Sequence, residues 1–328
     1  MSSVTLDLPP FRPRFPWWGG DLQTIANRLR RVPTSLAPHT SERLRFPLPD
    51  GTGDTLLASL DRPATPRPGA PLVILIHGLT GDQDSLYLFT LAKLLLDRGM
   101  RVLRLNLRGA GPSRALCSQH YYAGRSQDFR ILLSVLPDDL THDGLLAVGY
   151  SLGGAMLLKY LGEEGGATPL RAAASICAPI DLAVTCRNML RPRNHIYHRY
   201  ILDTMKVEAT GEGANVSAAE RAAIFGARSV WDYDHVFIAP RYGFASAEDY
   251  YERCRPTRFM SGIGIPTLVL AASDDPWIPG TLYREYDWAS NRSLVPLLPN
   301  RGGHVGFHGR DSRQPWSDLA VARFFEHG

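Results

Sequence analysis

Four short segments carry residues that could do nucleophilic chemistry together. The first is Gly149-Tyr150-Ser151-Leu152-Gly153, which sets a serine in a glycine frame between an apolar run, GLLAVGY, and a helix-spaced segment. A serine hydroxyl attacks poorly unless a base takes its proton and the backbone holds it exposed. A sharp strand-to-helix turn meets the second need and demands small neighbours, which Gly149, Gly153 and Gly154 supply. The helix that follows would point its partial positive end at negative charge forming on a bound carbonyl oxygen. By itself, the same segment could be no more than a helix cap in a glycine-rich turn.

The second segment, Gly302-Gly303-His304-Val305-Gly306-Phe307, follows a short apolar run and precedes the last helix-spaced stretch. Glycines on both sides give His304 the reach to approach Ser151, and a neutral imidazole can accept the serine proton near neutral pH. His308 is its nearest competitor as base. The third, Ser273-Asp274-Asp275-Pro276-Trp277-Ile278-Pro279, follows PTLVLAA. A carboxylate at that strand end could fix the tautomer of the base, and either Asp275 or Asp274 could supply it, the other serving as a loop cap. The fourth is His77-Gly78-Leu79-Thr80-Gly81, at the end of LVILIH. There the backbone N–H of Leu79, with that of Leu152 after the serine, is expected to form an oxyanion hole. Losing one such donor typically costs about 3 kcal/mol of transition-state stabilisation. His77 is expected to buttress this loop rather than act as base. The order along the chain, serine then acid then histidine, is that of the α/β-hydrolase fold and of neither chymotrypsin nor subtilisin.

These residues need a scaffold that gathers strand ends. Two probable strands, 43–48 and 56–60, flank a PDGTG turn and suggest an antiparallel hairpin. From residue 72 the pattern alternates. LVILIH, RVLRLNL, GLLAVGY, AAASICA, PTLVLAA and 294–298 read as buried strands, with helices expected over 86–98, 128–136, 152–161, 281–289 and 316–326. Near-continuous apolar strands separated by helices predict an α/β fold: a mostly parallel sheet with helices on both faces. Residues 180–260 break the rhythm with polar helical patches, aromatics and arginines, and are expected to form a helical cap inserted into the domain spanning 41–328. Residues 1–40, with FRPRFPWWGGDLQTI, read as a proline-rich extended arm packed on the core, anchored by Trp17 and Trp18.

Composition narrows the class. With 328 residues, 44% hydrophobic and 21% charged, the chain is ordinary globular protein. The longest apolar runs are too short to span a bilayer, and MSSVTLDLPP lacks the basic start and apolar core of a signal peptide. A cytoplasmic protein is therefore expected, without stable membrane insertion, though peripheral lipid contact is compatible with its charge. The net charge of +4 comes from arginines scattered along the chain rather than gathered on one stretch, which disfavours nucleic-acid binding. The four cysteines, Cys117, Cys177, Cys186 and Cys254, have no metal-ligand spacing and read as free thiols. His195 and His198 form an H-x-x-H without an evident third ligand, and NLRGAGPS lacks the spacing of a dinucleotide loop. No metal or cofactor is expected, and the oligomeric state is open.

The motifs together resemble one branch of the α/β-hydrolases, the YheT-type hydrolases of bacteria and their eukaryotic abhydrolase-domain relatives. The resemblance rests on PWW with DLQTI, HGLTGDQDS, NLRGAGPS, GYSLGG with LLKYL, DYDHVFIAPRYGFASAEDYY, DDPWIP and GGHVGF, which occur in the family's order over nearly the full chain. It implies a catalytic set of Ser151, Asp275 and His304, with Asp275 preferred over Asp274 because the strand-end acid precedes an x-apolar-x-Pro stretch. It also implies action on esters or lipids. The expected activity is hydrolysis of small-molecule or lipid-derived carboxylic esters of short to medium acyl length, through an acyl-serine. Acyl transfer by the same three residues, and a non-catalytic binding protein on the same fold, are the alternatives.

Overall fold

The computed structural model of the chain describes residues 8–30 and 34–327. Its centre is an eight-stranded sheet: β1 (Thr40–Pro47), β2 (Thr55–Arg62), β3 (Leu72–Ile76), β4 (Arg101–Leu105), β5 (Leu145–Tyr150), β6 (Leu170–Ile176), β7 (Thr267–Leu270) and β8 (Leu294–Leu297). The spatial order is β1-β2-β4-β3-β5-β6-β7-β8. The hairpin pairs antiparallel, β2 pairs antiparallel with β4, and every other contact is parallel. This is the α/β-hydrolase fold anticipated from the strand pattern.

Strand periodicity explains why both faces are covered. Along β3, Leu72, Ile74 and Ile76 enter one hydrophobic cluster, while Val73 and Leu75 enter the other. Both clusters are apolar because parallel strands need a cover on each side. The first packs against the helices Ser126–Val135 and Leu152–Glu164, the second against Leu86–Asp97 and Trp316–His327. Register then sets the site. Ile76 of β3 pairs with Gly149 of β5, and Leu270 of β7 with both Ile176 of β6 and Leu297 of β8. The loops that leave β3, β5, β7 and β8 therefore emerge at one edge, where open α/β sheets bind their ligands.

Between β6 and β7 the chain forms helices, among them Leu182–Met189, His195–Ala209, Ala218–Gly226 and Ala247–Cys254. They share a hydrophobic cluster of their own that includes Met189, Ile201, Met205, Phe237 and Tyr251. Three expectations need correction. The proline-rich arm is not extended throughout, since Gly20–Leu29 is a helix. No proline falls between Pro16 and Pro33, and the segment between them has helical spacing that buries Gln23, Thr24 and Ala26. Trp18 does not anchor the arm: it is 58% exposed and meets Phe15 edge-on. The remainder of the expected arm, residues 1–7 and 31–33, lies outside the described residues. The helix expected over 281–289 is only Gly280–Arg284, followed by a tight turn at Trp288–Ser290. Among the described residues no helix is long and apolar enough to cross a membrane.

Candidate active site

Ser151 stands between β5 and the helix Leu152–Glu164 with φ +49° and ψ −121°, a backbone region that costs a non-glycine residue about 1–3 kcal/mol. The turn is held by packing. A Cβ on Gly149 would meet the carbonyl oxygen of Gly153 at 2.5 Å, so the strand and helix can approach only because position 149 is glycine. The Ser151 N–H donates to the Ile176 carbonyl at 2.8 Å, and its own carbonyl accepts from Ala155 at 3.0 Å.

His304 arrives from the loop after β8. Its Nε2 lies 3.0 Å from Ser151 Oγ and its Nδ1 2.8 Å from Asp275 Oδ2. Asp275 and His304 are both buried. Asp275 is itself oriented, because its Oδ1 accepts the N–H groups of Trp277 and Ile278 at 2.8 and 3.0 Å. The Trp277 ring lies against the imidazole at 4.3 Å between centroids. An acid–base–hydroxyl relay of this geometry lets the histidine take a proton from the serine while the carboxylate stabilises the resulting imidazolium. The two candidate acids are separated by what they touch. Asp274 Oδ1 accepts the Gly303 N–H at 2.9 Å, and burial raises its pKa. Asp274 thus tethers the loop that carries His304, and Asp275 faces its imidazole.

The loop after β3 lies against the serine, since a Cβ on Gly78 would come within 3.0 Å of Ser151 Cβ. Two tyrosine hydroxyls fix it: Tyr87 accepts the Gly78 N–H at 2.9 Å, and Tyr121 accepts the Thr80 N–H at 2.8 Å. Thr80 is held at φ +57°. Among the described residues the N–H groups of Leu79 and Leu152 meet no acceptor, and both residues line the same cavity as Ser151. His77 lies beneath the loop. Its Nε2 accepts the Leu107 N–H at 3.0 Å, so Nδ1 carries the proton and donates to the Gly78 carbonyl at 2.7 Å. Burial pushes its pKa down to about 4, so it stays neutral. His308, also buried, pairs with Asn27 and Arg30 instead of Ser151, and burial beside Arg30 pushes it down to about 3.

Sequence reasoning missed the brace behind the base. The helix Gly20–Leu29 holds the histidine loop at several points. Thr24 Oγ accepts the His304 N–H at 2.9 Å, Asn27 Nδ2 donates to the Val305 carbonyl at 2.8 Å, and Gln23 Oε1 accepts the His308 N–H at 2.7 Å. The polar spacing of Gln23, Thr24 and Asn27 in an otherwise amphipathic helix was the available signal. Tyr87 and Tyr121 gave none, because each reaches the loop from a separate element.

The cavity above Ser151 has a volume of about 360 Å³ and walls that include Leu152, Leu182, Met189, Ile201 and Trp277. Among its lining residues Asp234 accepts from Tyr251 Oη at 2.6 Å, and burial pushes its pKa up to about 7. Cys177 places its Sγ within 4.8 Å of ligating atoms of Asp275 and His304. Burial beside Asp275 raises the thiol pKa, so the thiolate that a metal ion would need is disfavoured. Away from the site, His195 is exposed and His198 accepts the Val230 N–H at 3.1 Å.

Comparison with known proteins agrees with this fold. The sequence profile described as the alpha/beta hydrolase fold matches residues 71–311. The Escherichia coli protein YheT is 31% identical over 88% of this chain and 84% of its own length. Phospholipase ABHD3 of Mus musculus is 28% identical over 72% of this chain, which spans 58% of that protein. In three dimensions the chain is similar to the Pyrococcus furiosus esterase Pf2001, with a TM-score of 0.61 at 13% identity, covering 98% of this chain and 97% of the other. The chain belongs to the α/β-hydrolase family, in the branch that holds YheT and its abhydrolase-domain relatives.

Proposed function

We propose that the chain hydrolyses carboxylic esters through an acyl-Ser151 intermediate. The observation that carries this reading is the relay Asp275–His304–Ser151, with contacts of 2.8 and 3.0 Å, opening onto an apolar cavity. His304 Nε2 takes the Ser151 proton as Oγ bonds to the ester carbonyl carbon. The carbonyl oxygen becomes an oxyanion held by the N–H groups of Leu79 and Leu152. As the tetrahedral species collapses, the bond to the leaving alcohol breaks and His304 returns the proton to that alcohol. A water molecule then attacks the acyl carbon with His304 as base, releasing the acid and restoring Ser151.

The helices between β6 and β7 serve as a cap, supplying the cavity walls through Leu182, Met189 and Ile201. A cavity near the lower end of the about 300–1,000 Å³ usual for small-molecule sites suits short to medium acyl chains, and the phospholipase relative makes lipid-derived esters the natural class to test. Hydrolysis of p-nitrophenyl butyrate by Ser151→Ala is the decisive measurement. We expect a loss of about 10⁵–10⁶ in kcat, and loss of covalent labelling by a fluorophosphonate. Turnover at the wild-type rate, or a native protein that takes no label, overturns the reading. A panel of acyl lengths with equal rates from acetate to palmitate would reject the chain-length part alone.

A further inference from the structure

The surface around the cavity mouth has a chemistry that ester hydrolysis does not require. The helix Gly20–Leu29 and the helix His195–Ala209 meet through side chains. Asp21 accepts from Arg193 at 2.9 Å and from Tyr197 Oη at 3.1 Å, and the Arg28 guanidinium sits 4.0 Å over the Tyr200 ring. Arg28 and Tyr200 are exposed, yet they also line the cavity that holds Ser151, so they mark its opening.

Each helix turns an apolar stripe outward. On the first, Leu22 and Leu29 are two turns apart; on the second, Ile196, Tyr200 and Val207 share the face opposite the buried His198, Ile201, Leu202 and Met205. Ile196 is 82% exposed, Val207 68% and Leu29 63%, values that single out side chains with almost no protein cover. Phe15 and Trp18, packed on each other at 5.3 Å, add two exposed aromatic side chains just ahead of the first helix in the chain. Soluble proteins scatter such residues singly, and a gathered patch marks an interaction site.

Charge selects the occupant. The first helix together with residues 190–207 carries Arg28, Arg191, Arg193, Arg199 and Lys206 against Asp21 and Asp203. The two acids are already engaged by Arg193 and Arg199, and among the described residues Arg28 and Arg191 meet no carboxylate. A second copy of this chain would bring cations against cations. An anionic lipid surface fits instead, taking aliphatic and aromatic side chains at the acyl boundary and arginines at the phosphates.

We propose that this face docks the enzyme on an anionic phospholipid surface, with the opening between Arg28 and Tyr200 turned toward the lipid. Delivery of a lipid ester to Ser151 rests on the hydrolase reading; docking itself does not. The test is flotation of the full chain with vesicles of phosphatidylcholine alone or with added phosphatidylglycerol, at low and high salt. We expect binding to the anionic vesicles that salt weakens, about tenfold weaker binding for the double variant Leu29→Glu, Ile196→Glu, and about fivefold weaker for Arg191→Ala. Both variants should turn over a water-soluble short ester at the wild-type rate, which also reports that they fold. Absence of wild-type binding to anionic vesicles, or binding unchanged in both variants, overturns the proposal. So does a wild-type dimer in sedimentation that Ile196→Glu dissociates, which would assign the face to a second copy. If vesicles bind as expected but no ester is turned over by the native protein, the hydrolase reading fails and the docking surface stands.

Discussion

The hydroxyl oxygen of Thr24 accepts the backbone N–H of His304 at 2.9 Å, joining residues 280 positions apart. Thr24 donates in turn to the Gly20 carbonyl at 2.7 Å, so its rotamer is fixed. Thr24→Val keeps the shape and removes the acceptor, leaving a buried N–H unpaired at a cost of about 1–3 kcal/mol. The base loop should loosen. We expect kcat to fall about tenfold and thermal stability to drop, with Thr24→Ser restoring both. Steady-state kinetics of the two variants checks this, and a Thr24→Val enzyme with wild-type kcat would show that the loop holds without the brace.

The neighbouring aspartates should separate in kinetics. Asp275 meets Nδ1 of His304, whereas Asp274 meets only the loop N–H of Gly303. Replacing the acid of such a relay by its amide favours the wrong imidazole tautomer and lowers kcat by about 10⁴. Asp275→Asn should show a loss of that order at neutral pH. Asp274→Asn keeps an acceptor for Gly303 and should lose less than about tenfold. Equal losses in the two variants would mean that the acids share one role.

The parts of this arrangement differ in how far they could be read from residues alone. The sheet was legible because LVILI and LLAV are apolar at every position, a pattern that only doubly covered strands require. The positions of Ser151, Asp275 and His304 were legible because each stands just beyond such a strand, in a segment of glycine or proline that marks a turn. The helix Gly20–Leu29 was not, since prolines at 10, 13 and 16 suggested extended backbone and its partners, Val305 and His308, lie at the other end of the chain. Trp18 misled for a related reason: a large aromatic is ordinarily buried, and only its neighbours in space reveal that this one is not.

Leu79 is flanked by two N–H groups that tyrosines hold, those of Gly78 and Thr80. Tyr121 Oη also donates to Glu208 at 2.9 Å, on the helix His195–Ala209, so its hydrogen and its lone pair are both used. Tyr121→Phe should free Thr80 from its left-handed conformation and misdirect the Leu79 N–H. The expected loss is about tenfold in kcat with KM unchanged, since a donor to the developing oxyanion acts on the transition state. Fluorophosphonate labelling should slow by a similar factor. A variant with raised KM and normal kcat would instead make Tyr121 a pocket residue.

Asp234 gives a prediction about pH and stability. Its carboxyl is buried with Tyr251 Oη as hydrogen-bond partner, and burial raises its pKa to about 7 in the fold, against about 4 in an unfolded chain. The fold therefore favours the protonated form. The stability this brings is complete below about pH 4, falls as pH rises, and is gone once pH passes about 7. Asp234→Asn keeps the acceptor for Tyr251 and cannot ionise, so it should be immune to that loss. Glu208 and Asp318 are also raised to about 7 by burial, but they are common to both proteins and cancel in the difference. We expect urea midpoints of the variant and the native chain to be close near pH 4 and to diverge in favour of the variant up to about pH 7, with a constant gap above. A gap independent of pH across that window would mean that the Asp234 carboxyl is ionised throughout.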